Sequence, residues 1–561
     1  MGLSPADAAD WMGSKMMLWI RLADRHRTCL RIVAALLFSA VVQAADIQAD
    51  PSNYRSRVPA LKPGDTLNLA AGTYPRLPVT KLNGTPDEWI TITGPESGAP
   101  AVISGASGSN TIEILNSSYV AIKNLRIDSR AIPGAFGVSA RGHEDNLTHH
   151  IRIEGNIFVG QNGGQQTDAI STKTPTWGWV IRYNQILGAG TGLYLGDSDG
   201  TQPFVDGIVE NNLVMDTIGY DMQIKDQVAI PPVPGMPAGP TTTIIRNNVF
   251  IKNDQPSPDG DRPNLLVSAF PAAGLGSLNM YDIYGNFFFH NHREALFQGS
   301  GRISLHDNIF VDGPLSYPAV VLRSQNFPLR VANVYNNTIY TSGKGIYFGT
   351  RAMSGDAVTG NVVFASIPIS GSIVNQSDNV ADSLANAHLY VKSPSFDLGS
   401  MDFSPLAGKC QGSPIDLSWF HSDREYAWDF EGRPKTEVKG AVVFRGAYAA
   451  EAVDVDWKPD RNLKPPRTPS VNPSATLVWI EPRSAPAGTS ITIKLTGTNF
   501  SPGTGVSVDG AGVSVETVTF ESDTQITAKL SIVRGIRGTR NVSIKTGAQT
   551  SNTAAFQIKS R

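Results

Sequence analysis

Apolar and polar residues alternate through "IRIEGNIFVG" (151–160), with a break at a Gly-Asn pair before the alternation resumes. The same phrase returns as "VIRYNQILG", "IVENNLVMD", "IIRNNVFIK", "DIYGNFFFH", "SLHDNIFVD" and "NVYNNTIYT". Its central asparagine falls at Asn156, Asn184, Asn212, Asn248, Asn286, Asn308 and Asn337. Period-two alternation predicts strands, each with one buried face. Between these phrases recurs a second strand pattern: "DAISTK", "TGLYLGD", "YDMQIKD", "NLLVSAF", "AVVLRS" and "GIYFGT".

Most intervals between asparagines lie between 22 and 29 residues. A repeat of that size, made of short strands and Gly/Asn turns, cannot bury its own apolar face and must stack on its neighbours. The pattern therefore predicts an all-β chain dominated by a right-handed parallel β-helix. Asparagine suits the corners because it tolerates left-handed backbone and can ladder its amide from coil to coil. An antiparallel sandwich would need two-residue hairpins, which are scarce here.

Two intervals stretch to 36 and 38 residues. They hold the Pro/Gly-rich segments 228–240 and 253–264, which read as loops leaving the coils on a binding face. Residues 50–74 read as a short helix entering the first coil. The segment following residue 412 loses the period and reads as a closing cap. We place the solenoid and its caps at 45–450.

Residues 451–474 are Pro-rich and charged, a semi-stiff linker. Residues 475–561 carry about seven short alternating strands, an immunoglobulin-like sandwich. This module resembles the IPT/TIG family through Ile480, Pro482, Gly488 and the run Gly497-Thr498-Asn499-Phe500. The resemblance implies a spacer or interaction module.

Composition agrees with a turn-rich β protein: Gly 54, Pro 37 and only 17% charged residues in 561. Arg21, Arg25, Arg27 and Arg31 precede the apolar run 32–42 and a small-residue exit at Val42 and Ala44. This describes a secretory leader, residues 1–44, on a chain destined for the periplasm or beyond. The run is too short to span a bilayer, so no membrane insertion is expected after cleavage. Losing five basic and three acidic residues moves the net charge from −2 to −4. Nucleic acid is not an expected partner. Cys410 is the one cysteine outside the leader, which excludes an internal disulfide, and the chain is expected to be monomeric.

Stacking the second strands with apolar residues inward leaves Lys173, Gly196, Lys225, Ser268 and Arg323 in one outward column. Ser171, Tyr194, Gln223, Leu266 and Val321 form the column beside it. Asp168, Asp197, Asp221 and Asp226 lie close by. A cationic row on a net-negative protein suggests an acidic polysaccharide as ligand, with Lys173, Tyr194, Gln223 and Asp197 as contacts. Asp168, Asp197 and Asp199 leave open a hydrolytic carboxylate pair of the polygalacturonase type. Trp177 and Trp179 are candidates to stack a sugar. The histidines of "THH" (148–150) and "HNHRE" (290–294) read as solvated coil-surface residues before they read as metal ligands.

"LKPGDTLNLAAGTY", "NGTPDEWITITGPESGAPAVISG" and "YVAIKNLRI" resemble the opening coils of the chondroitinase B/alginate lyase family. That resemblance implies β-elimination of a uronate-containing polysaccharide, with a lysine base, an arginine and calcium. Lys225 matches the family's lysine by place. The arginine's place holds Ser268, and Arg323 is the nearest arginine in the column. Of the acidic calcium ligands only Asp221 has a counterpart. A catalytically silent glycan-binding or adhesion protein is the reading from a different class.

Overall fold

The computed structural model describes residues 44–561, except 143–146, 314–316, 421, 436, 439–440, 450–453, 467–474, 499, 501–503, 523–524, 547–548 and 561. The leader and parts of the linker thus lie outside the described residues. From Asp46 to Asp382 the chain winds through three parallel sheets of 15, 11 and 12 strands. Each coil runs through a first-sheet strand, an asparagine turn, a second-sheet strand, a corner and a third-sheet strand. The Ile208–Glu210, Leu213–Met215 and Met222–Ile224 strands form one such coil. Inward side chains fill one continuous core, with Phe250, Phe288 and Phe310 stacked at ring-centroid distances of 5.1 and 4.6 Å.

The asparagine turn fixes the register. The Nδ2 of each ladder asparagine donates to the Oδ1 of the next, at 2.9–3.1 Å from Asn156 through Asn379. The same Oδ1 also accepts the backbone N–H of the preceding ladder residue, as Asn308 does from Asn286 at 2.9 Å. Two rungs, Asn361 and Asn379, extend the seven read from the repeat. The left-handed residue is the one before each asparagine, including Tyr183, Asn211, Asn247 and Asp307, with φ between 51° and 56°. The ladder residue itself supplies hydrogen bonds rather than backbone freedom.

Both ends are capped. Asp46–Ala49 pairs with Thr66–Leu69, and between them lie a single helical turn at Tyr54–Arg57 and a 3-10 turn at Val58–Ala60. The entry is therefore a strand followed by a turn of helix. The closing segment docks on the first sheet: Arg424 N–H donates to Asp282 (2.7 Å) and Lys435 to Asp307 (2.8 Å). His306 lies between those two carboxylates, at 3.0 and 2.7 Å.

The C-terminal module has its own core, including Ile480, Ile493, Phe500, Ile526 and Phe556, between a four-stranded and a five-stranded sheet. A Cβ on Gly497 would stand 1.9 Å from the Thr476 carbonyl and 2.6 Å from the Phe500 ring. Glycine is therefore a packing requirement of this module's signature.

Asn286→Ala removes donors to Asn308 and Ile245 and strands the buried amide of Asn248. With about 1 kcal/mol per net bond and 1–3 for an orphaned group, a loss of ~2–4 kcal/mol is expected. The urea unfolding midpoint should fall accordingly, and an unchanged midpoint would show that the amides do not hold the coils in register.

Candidate functional site

The third sheet presents the outward columns. Ser171, Tyr194, Gln223, Leu266, Gln298 and Val321 pair in successive registers. Sequence reading omitted the Phe297–Gly299 strand, which places Gln298 and Ser300 between the Leu266 and Val321 rungs. Arg323 therefore stands three rungs from Lys225, ~14 Å at the spacing of parallel strands. It is exposed and remote from the lysines.

Those lysines are brought together. Tyr194 lies on the rung between them, and both ammonium groups turn toward its ring, Lys173 at 5.1 Å and Lys225 at 5.7 Å from the centroid. Lys173 also lies 4.6 Å from the Phe136 ring. Each contact is worth ~0.5–1 kcal/mol at a partly exposed site. Gly196 occupies the intervening position of the lysine column, where a Cβ would stand 3.2 Å from the Lys225 Cβ. The Lys225 side chain packs over the glycine, where a larger residue would crowd it.

The carboxylates are held apart from this space. Asp168 is buried, its Oδ2 3.6 Å from Lys173 Nζ, and burial pushes its carboxyl up to about 7 against the pull of that lysine. Asp221 is wholly buried and accepts from Thr217 at 2.7 Å. Burial raises it to about 7 despite nearby Lys252. As the expected calcium ligand it offers no oxygen to the exposed face. Asp226 accepts from Ala269 N–H (3.2 Å) and Asn326 (2.9 Å). Among the described residues no carboxylate comes within 4.0 Å of Lys225 Nζ, the neighbouring Asp226 included. Asp197 and Asp199 bind within their own turn, to Ser198 and Thr201. Asp168 is buried, whereas Asp197 and Asp199 lie on the outward turn.

Tyr194 is half-buried, and its hydroxyl lies 2.6 Å from Ser198 Oγ. Burial raises its phenol above the usual range, the Ser198 hydrogen bond opposing, so the proton is retained at neutral pH. Gln223 lies in register with Tyr194 and is only 5% exposed.

The two long loops border the lysine rungs at opposite strand ends. Segment 253–264 joins the second sheet to the third and is tied back by Gln165, which contacts Asp259 N–H (2.8 Å) and Gly260 O (2.7 Å). Segment 228–240 leaves the far end and packs Ile230, Val233 and Met236 over Trp177. Trp177 and Trp179 are 1% and 0% exposed, so neither can stack a sugar.

Sequence reasoning missed Arg141, which pairs in register with Lys173 and lies 2.7 Å from Glu113. Its signal was "GVSAR", the same strand one coil earlier. It also missed Phe136 and Ser198, whose roles depend on side-chain direction.

Residues 475–558 match the IPT/TIG domain family. Among solved structures the chain is similar to the PL6 family alginate lyase AlyGC, at 14% identity and TM-score 0.45, covering 79% of this chain and 61% of that one. It is also similar to a tailspike protein from an Acinetobacter baumannii bacteriophage, a capsular polysaccharide depolymerase (11%, TM-score 0.32, 92% and 78%). A third is PfbA, a surface adhesin of Streptococcus pneumoniae (13%, TM-score 0.29, 64% and 90%). The chain thus spans under two thirds of the alginate lyase. No curated protein matches it.

Asp168 provides a pH test. A carboxyl raised from 3.8 to about 7 keeps a proton that the unfolded chain releases, so its contribution to stability is lost as pH rises across that window. Asp168→Asn should flatten the decline in urea midpoint between pH 5 and pH 8. Parallel pH profiles for parent and variant would contradict the assignment.

Proposed function

We propose that the chain is an exported polysaccharide lyase cleaving an acidic, uronate-containing glycan by β-elimination. The observation that carries this reading is the pair of lysines on either side of Tyr194, whose ammonium groups both turn toward its ring. A uronate carboxylate entering the gap meets two cations and an aromatic face. The basic-then-apolar N-terminus supports export.

In this reading Lys225, with no carboxylate within 4.0 Å among the described residues, takes the proton α to the carboxylate. Lys173, anchored by Asp168, stabilises the enolate that develops. Tyr194, its phenol proton retained, donates to the departing glycosidic oxygen. The C–H and C–O bonds break and the C=C bond forms; Lys225 gains a proton and Tyr194 loses one. Arg323 binds a sugar farther along the polymer. Gln223 and Asp197 border the gap as substrate contacts.

Calcium does not fit this site. A calcium ion takes six to eight oxygen ligands, whereas Asp221 is buried among Thr217 and Asn264, and Asp226 is engaged by the adjoining loop. No step is routed through a metal.

Incubating the mature chain with alginate, pectate and glycosaminoglycans should produce ultraviolet absorbance from an unsaturated uronide. Lys225→Ala should reduce the rate by ~10²–10⁴, the range for removal of a general base. Tyr194→Phe should lower kcat more than it raises KM. Retained polymer binding without absorbance or new reducing ends would replace the lyase with a silent glycan binder.

A further inference from the structure

The second-sheet corner carries a cluster that the lysine column does not use. Asp216, Lys252, His290 and Asp312 follow one another there in successive coils, each joined to the next by register. His292 lies two residues beyond His290, and Asp254 two beyond Lys252, at the root of loop 253–264. His290 Nε2 lies 2.9 Å from Asp254 Oδ1, and His292 Nδ1 lies 3.3 Å from the same oxygen. The potential ligand atoms of all three residues fall within 4.8 Å of one another. The imidazoles are nearly parallel, with centroids 6.0 Å apart and planes at 13°.

A second observation lies beneath them. Asp312 is 1% exposed, its Oδ1 held by Asn291 N–H at 3.3 Å and 3.9 Å from His290 Nδ1. At 3.9 Å this buried carboxylate places negative charge behind one ring nitrogen without a hydrogen bond to it, and the other nitrogen faces outward. Here the outward nitrogen is the one facing Asp254.

We propose that Asp254, His290 and His292 bind one divalent transition-metal ion, with the buried Asp312 carboxylate behind His290. Two imidazoles and one carboxylate suit Zn²⁺, Co²⁺ or Ni²⁺ rather than calcium, which requires more oxygen ligands. Three protein ligands leave a coordination position for solvent. Asp254 opens loop 253–264 and the histidines belong to the next coil, so the ion clamps the root of that loop. The same loop carries Arg262 to within 5.6 Å of the Tyr220 ring, beside the lysine rungs. The site stands independently of the lyase reading.

The test uses tag-free mature chain stripped with chelator and titrated calorimetrically with Zn²⁺. One ion per chain is expected, with backbone amides of residues 253–263 exchanging at least ~10-fold more slowly when it is bound. His290→Ala with His292→Ala should weaken binding by more than ~100-fold. Asp254 is largely exposed, so Asp254→Asn should leave folding intact and weaken binding ~10–100-fold. Co²⁺ should give visible absorption bands that disappear in the double variant. No saturable ion, or one-to-one binding unchanged in both variants, would overturn the site. Tight binding without slower exchange in the loop would overturn the clamp.

Discussion

Edge-to-edge pairing of identical coils is the constraint on which the structure depends. A parallel strand satisfies its backbone only through the coils above and below it, so a slip in register would affect the whole stack. The asparagine ladder resists such a slip. Each amide donates to the next amide and to a backbone carbonyl, and each Oδ1 accepts from the preceding rung. Eight successive side-chain bonds from Asn156 to Asn379 hold the turn to one residue in every coil. Because side chains alternate with period two, fixing the turn also determines which residues face outward.

The functional face follows from that register. Lys173, Gly196 and Lys225 share a column because their strands are aligned, and Tyr194 stands beside the glycine for the same reason. Neighbouring carboxylates could have neutralised the lysines. Asp168 does pair with Lys173 from its buried position, but Asp221 is withdrawn into the corner and Asp226 is engaged by Ala269 and Asn326. Lys225 is left facing an aromatic ring. The proposed acidic ligand rests on these two cations turned toward one aromatic face. The loops border the same rungs because their insertions fall at the two corners flanking the third sheet.

The sequence made the solenoid legible because the asparagine phrase repeats a physical necessity once per coil. The seven rungs from Asn156 to Asn337 were read, whereas Asn361 was passed over although "VTGNVVFA" keeps the phrase, and Asn379 follows "NQSD", which has lost the apolar alternation. The Phe297–Gly299 strand escaped because "FQG" is too short to show alternation, and its omission moved Arg323 one rung too close. Lys173, Tyr194 and Lys225 were legible as a column. Their convergence was not, since it depends on side-chain direction. Burial defeated two residue-type arguments: Trp177 looked like a sugar platform, and Asp221 like a metal ligand. Both are covered by neighbouring coils and loops, whose packing is nonlocal.

The central claim is that the gap between Lys173 and Lys225, over Tyr194, receives a uronate. A crystal structure of the Lys225→Ala chain with an oligouronate tests it most directly. The account places a sugar carboxylate beside Lys173 Nζ, with the pyranose over Tyr194 and the chain running along the third sheet toward Arg323. An oligosaccharide on the first or second sheet, with the Tyr194 gap filled only by water, would contradict it.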